Sequence, residues 1–177
     1  MKYLVLLLSI FLVACIKAPE EATTPSVVTA EEKPVIDVTD QEPKELYWED
    51  LIPADFEPLD TVPEIDHNNP MAQLNPNAPI VPELNQQYVK IPGFVVPLEG
   101  DDQALTEFLL VPYFGACIHV PPPPSNQLVY VKFEQPVPVD SLYDAIWVTG
   151  ILTTETYSAD IATTGYQLQG MQVSPFE

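Results

Sequence analysis

From Gln87 onward the chain runs with a period of two. Val89 and Ile91 alternate with polar neighbours, Pro92-Gly93 interrupts, and Phe94, Val96 and Leu98 resume the alternation. Side chains on a strand change face at every residue, so this pattern predicts one strand with a bulge or kink at Gly93. Gly100-Asp101-Asp102 is a turn. A second strand is expected over residues 105–113, closed by Pro112, and a third over 128–133. Residues 139–145 are expected to form a short helix with Asp140-Ser141 as its cap. A fourth strand covers 146–152, residues 154–162 form a helical turn, and a fifth strand runs from Tyr166 to Val173 after Gly165.

Five strands rich in Val, Tyr, Phe and Trp with short connections predict a mainly β fold. The leading architecture is a small five-stranded OB-like Greek-key barrel, with a twisted open sheet as the alternative. Gly93 and Gly150 are the expected corner residues. Upstream, the pattern is weaker. Trp48, Leu51 and Ile52 fit one short helical turn packed on the domain. Residues 57–87 are rich in Pro and Asn and read as irregular chain along the domain edge, with at most one helical turn near residues 70–74.

Three segments follow. Residues 1–14 read as a lipoprotein signal peptide: Lys2 is a minimal basic start, and the apolar run over 3–13 is too short for a comfortable membrane span. It ends in Leu12-Val13-Ala14-Cys15, which resembles a bacterial lipobox. That resemblance implies cleavage before Cys15 and acylation of Cys15, with the lipid bilayer as a partner. Ile16, where an Asp would favour inner-membrane retention, leans the placement towards the outer membrane, facing the periplasm. Residues 15–45 read as an acidic, Pro-rich tether, since Pro and like charge leave little to bury. Residues 46–177 are a single domain.

Charge narrows the function. The 177 residues carry 26 Asp and Glu against 6 Lys and no Arg, a formal charge of −20. Nucleic-acid binding is excluded, because it requires cations that displace phosphate counterions. With Cys15 acylated, Cys117 is the one remaining thiol, so no intramolecular disulfide is expected. No phosphate-cradling Gly-rich loop, G-x-S-x-G or H-E-x-x-H occurs.

One stretch stands outside this composition. Tyr113-Phe114-Gly115-Ala116-Cys117-Ile118-His119-Val120 runs into Pro121, Pro122, Pro123 and Pro124, followed by Ser125-Asn126-Gln127. Four consecutive prolines set a short polyproline II rod. On extended chain, Cys117 and His119 would face the same side. Three chemistries compete here. A zinc or copper site would use Cys117 and His119, completed by Glu107 or His67. A thiol nucleophile would need Cys117 activated by a base, with no third orienting residue identifiable. A binding module would use Tyr113, Phe114, Cys117, His119, the prolines and Asn126 as the rim of a groove. Against each stands a packed loop with a buried Cys and a hydrogen-bonded His.

Trp48-Glu49-Asp50-Leu51-Ile52-Pro53, then Val89-Lys90-Ile91-Pro92-Gly93-Phe94-Val95-Val96-Pro97-Leu98, then residues 106–119 with the proline run and Asn126-Gln127, resemble the bacterial DUF3299 family. The resemblance spans roughly residues 46–177. It implies an exported protein or lipoprotein of one domain, and it implies no activity. The expected function is therefore a non-enzymatic binding or accessory module of a cell-envelope or transport system, with an envelope protein as partner. The alternatives are metal delivery to a transporter through Cys117 and His119, and a thiol-dependent enzyme.

Overall fold

The computed structural model describes residues 38, 41–56, 72–100, 104–138 and 142–176. Among the described residues there are eight strands: β1 (Lys44–Glu45), β2 (Gln87–Gly100), β3 (Ala104–Val111), β4 (Val129–Pro138), β5 (Ile146–Thr153), β6 (Tyr157–Ser158), β7 (Thr163–Thr164) and β8 (Tyr166–Pro175). Five of them close on themselves in the order β2-β3-β4-β8-β5, with β5 returning to β2. Every pairing round the ring is antiparallel except β4 with β8. Counting barrel strands alone, the order is first, second, third, fifth, fourth, which is the expected OB-like Greek key.

Gly93 shows how one long strand serves two neighbours. Up to Gly93, β2 pairs with β5; from Phe94 on it pairs with β3. A Cβ at Gly93 would sit 2.7 Å from the Val111 carbonyl and 2.8 Å from the Leu110 side chain. Any larger residue would push β3 away where it takes over. At Gly150, the other expected corner, the β5–β8 ladder slips register, and a Cβ would run into the Gln169 carbonyl.

Alternation fills the barrel. Val89, Ile91 and Val95, Phe108 and Leu110, Val129, Val131 and Phe133, Val148 and Leu152, and Tyr166 and Leu168 form one buried cluster. Phe108 and Phe133 stack at 6.1 Å. A second, smaller core lies on the opposite face of β2–β4, where Val96, Leu109, Val111, Leu128 and Tyr130 pack with Ala116 and Ala162. Odd and even positions of the same strands therefore feed two different cores, the consequence of a period of two when both faces are covered.

The expected turn at Trp48 is a 3-10 turn over Trp48–Leu51. It is fastened on three sides: Trp48 Nε1 donates to the Pro92 carbonyl (2.8 Å), Gln127 Nε2 to the Trp48 carbonyl (2.8 Å), and the Tyr166 hydroxyl to the Leu51 carbonyl (2.8 Å). A second 3-10 turn, Pro82–Leu84, precedes β2.

Two local expectations differ. The helix expected over 139–145 is not formed at residues 142–145, which make a bend before β5; residues 139–141 lie outside the described residues. So short a stretch between two strands cannot repay helix nucleation. The helical turn expected over 154–162 gives way to the β6–β7 hairpin, closed by the Ala159 N–H on the Ala162 carbonyl. Tyr157 and the Thr residues suit a pleated surface better than a helix. Of the at most one helical turn expected near 70–74, residues 72–74 show none, and Pro70 and Met71 lie outside the described residues.

Candidate functional site

The connection from β3 to β4 divides into two halves of opposite character. Residues 112–120 form a succession of tight turns. Gly115 has φ +85° and Cys117 φ +65°, both in the left-handed region. The His119 and Ile118 N–H groups both donate back to the Gly115 carbonyl, at 2.9 and 3.3 Å. Cys117 and His119 are thus in a turn, not on the extended chain that would present both on one side. The left-handed backbone at Cys117 is what breaks that geometry.

Residues 121–127 are bolted down instead. Pro122 and Pro123 are buried. Their carbonyls accept from the Leu74 N–H (3.0 Å) and from Gln73 Nε2 (3.0 Å). The Ser125 hydroxyl accepts from the Ala78 N–H (3.0 Å), and Asn126 Nδ2 donates to the Pro79 carbonyl (2.8 Å). Asn126 is 1% exposed. The proline rod is therefore a buttress under residues 72–80, and Pro122, Pro123 and Asn126 present no groove.

Cys117 leans on the outer core beside Ala116. Burial pushes its thiol up from 9.0 to about 11. At neutral pH such a group is almost wholly protonated, the opposite of an activated nucleophile. Glu107 is engaged elsewhere: it accepts from the Tyr130 hydroxyl (2.5 Å) and pairs with Lys132 (2.6 Å). The hydrogen bonds from Lys132 and Tyr130 hold its carboxyl below the usual range. Tyr157 stacks flat on Tyr130 at 3.7 Å, so this polar group clamps the β6–β7 hairpin to the barrel. Among the described residues no three His, Cys, Asp or Glu side chains gather into a possible metal site. His67 lies outside the described residues.

Phe114 and His119 belong to a different feature. They line a cleft of about 160 Å³ together with Phe94, Val96, Ile118 and Tyr143. Phe114 is its centre: its ring lies 6.1 Å from Phe94 at 67°, 5.5 Å from Tyr143 and 6.4 Å from the His119 ring. Phe114 is 50% exposed, Ile118 56% and Tyr143 75%. The cleft opens on the shoulder of β2 where β5 has left it, with β3 its only strand neighbour among the described residues. Tyr113 is exposed beside it and is not among the wall residues.

Of the residues singled out from the sequence, Phe114 and His119 meet in the cleft, while Cys117, Glu107, Pro122, Pro123 and Asn126 hold structure. Phe94, Ile118, Leu142 and Tyr143 were not foreseen. One signal was available: from Phe108 to Phe133 there is no acidic residue, in a chain of charge −20.

OB-type domains bind oligonucleotides and sugars on the outer face of their second and third strands. Here those strands are β3 and β4, and their outer residues Leu109 and Tyr130, with Leu128 just before β4, are buried under Ala116, Ala162 and Tyr157. The chain itself covers that part of the face, while Lys132 further along β4 is exposed.

The profile of a family described as "Protein of unknown function (DUF3299)" matches residues 48–175. A crystal structure of a DUF3299 family protein from Pseudomonas aeruginosa is 46% identical, with a TM-score of 0.68, and the match covers 77% of this chain and 97% of that one. No curated protein matches.

Proposed function

The chain belongs to the DUF3299 family, and on that premise we propose that it is an envelope lipoprotein whose barrel is a non-enzymatic binding module, an accessory of a cell-envelope or transport system. The observation that carries this reading is the Phe114 cleft. The Phe114 and Tyr143 rings stand exposed on an otherwise acidic protein, and apolar patches rimmed by polar surface mark interaction sites. Residues 112–120 are held in shape by turn hydrogen bonds and by the proline buttress. Such a surface is pre-organised, so little ordering cost opposes docking. The raised thiol of Cys117 and the engagement of Glu107 count against thiol chemistry and against a Cys117–His119–Glu107 metal set. The Leu12-Val13-Ala14-Cys15 tetrapeptide supports lipid attachment through acylated Cys15, and Ile16 favours the outer membrane, so Cys15→Ser is expected to move the chain into the soluble fraction of the cell.

The test is photocrosslinking in intact envelopes, with a photoreactive residue at position 114, 143 or 176 in turn. Discrete protein adducts are expected from positions 114 and 143 and none from 176, which lies in a separate aromatic cluster with Trp147. No adduct from either cleft position, or equal adducts from position 176, would sink the proposal.

A further inference from the structure

The kind of partner can be drawn from the size, lining and charge of the cleft. An apolar cavity of about 150 Å³ accepts one benzene molecule, and the cleft holds about 160 Å³. That is room for one ring, not for a helix or a drug-sized ligand. Among the described residues its walls carry no carboxylate and no lysine, and His119 is the one imidazole. The rings of Phe94 and Phe114 meet edge to face, the kind of contact that aromatic rings favour with one another.

Charge comes from the chain around the wall residues. Glu99 follows the wall residue Pro97 two positions on, and Asp144 follows the wall residues Leu142 and Tyr143. An apolar floor is thus flanked in sequence by acids on both contributing segments, and the whole chain carries −20. An acidic partner would be repelled at long range, and a basic one steered in.

We propose that the cleft takes the aromatic side chain of a basic protein segment, with the ring seated among Phe94, Phe114 and Tyr143 and lysine or arginine on either side of it. This rests on the binding reading above and names its partner. The ring supplies the short-range anchor, the role that buried aromatics play at interface hot spots. The flanking cations give orientation and salt dependence.

The full lipidated chain, held in phospholipid nanodiscs, is titrated with a fluorescent pentapeptide bearing phenylalanine at its centre and lysine at both ends. Companion peptides replace the phenylalanine by alanine or by trimethyl-lysine, or both lysines by glutamate. The parent peptide is expected to bind about tenfold or more tightly than the alanine and glutamate forms. Raising the salt from about 0.05 to about 0.5 M should weaken it. Phe114→Ala and Tyr143→Ala should each lose about fivefold or more in affinity with the melting temperature kept. Phe176→Ala, in the other aromatic cluster, should bind like the parent. Equal binding of the phenylalanine and alanine peptides, trimethyl-lysine binding as tightly as phenylalanine, or loss through Phe176→Ala in place of Phe114→Ala would each overturn the proposal. So would binding carried by the nanodisc lipid alone. If positions 114 and 143 crosslink in envelopes while no peptide binds, the binding module stands and the basic, ring-bearing partner falls. If both experiments fail, both fall.

Discussion

The two halves of the β3–β4 connection are neighbours in sequence and opposites in use. Residues 112–120 contain both left-handed positions, Gly115 and Cys117, and expose Phe114 and Ile118. Residues 121–127 contain the proline rod, and its carbonyls and the Ser125 and Asn126 side chains are consumed by residues 73–79. The first half presents a surface; the second fixes where that surface sits. A rigid segment with unusual composition is thus not itself the place where a ligand goes. Proline lowers the entropy of the unfolded chain and donates no hydrogen bond, so it suits a buttress whose acceptors are used by others.

The sharpest way to break this contrast is to cut the buttress. Asn126→Ala empties a buried side-chain position and leaves the Pro79 carbonyl without its donor, and should cost about 2 kcal/mol, read as a lowered denaturation midpoint with an unchanged slope. If Asn126→Ala is neutral, the second half is not structural. Next in size, Pro123→Ala at the middle of the rod should cost about 0.5–1 kcal/mol through the greater freedom of the unfolded chain, measured in the same denaturation series. A larger loss from Phe114→Ala than from Pro123→Ala would invert the comparison.

The thiol gives a third, pH-dependent test. Its folded value is about 11 against an ordinary 9.0, so the folded state holds the proton more tightly than the unfolded one. The corresponding stability is complete below pH 9 and is lost as the pH rises towards 11. Relative to Cys117→Ala, the parent should therefore lose stability across that window, and its alkylation in the native state should remain slow until the same pH range. Fast alkylation at neutral pH would show an accessible thiolate and revive the enzyme reading. The smallest effect is expected at the exposed half: Phe114→Ala should change stability by no more than about 0.5 kcal/mol, while abolishing crosslinks from position 143. A large loss of stability there would make Phe114 a core residue.

Much of the barrel was legible before the structure. The alternation in β2, β4 and β8 survives because each strand has one face in the barrel, and Gly93 and Gly150 were marked because strands bend where a side chain cannot fit. The β6–β7 hairpin and the bend at 142–145 were not legible, since neither segment is long enough for periodicity to separate turn, helix and strand. The site was half legible. Phe114 and His119 were in view because they adjoin the proline run. Phe94 and Tyr143 were not, because one looked like ordinary strand and the other like helix, and nothing local joins residues 94, 114 and 143.

The order of residues by itself settled the five barrel strands, their corners, the acid-free stretch from Phe108 to Phe133 and the rigid run of prolines, since period, steric freedom and ring closure at proline are local properties. Tertiary structure alone decided which half of the connection faces outward, that Cys117 turns left-handed against a second core, and that three distant rings meet at the shoulder of β2. Those outcomes depend on which strand β2 leaves at Gly93 and on what residues 72–80 cover, and contacts between parts of the chain so far apart are set by closure of the whole barrel.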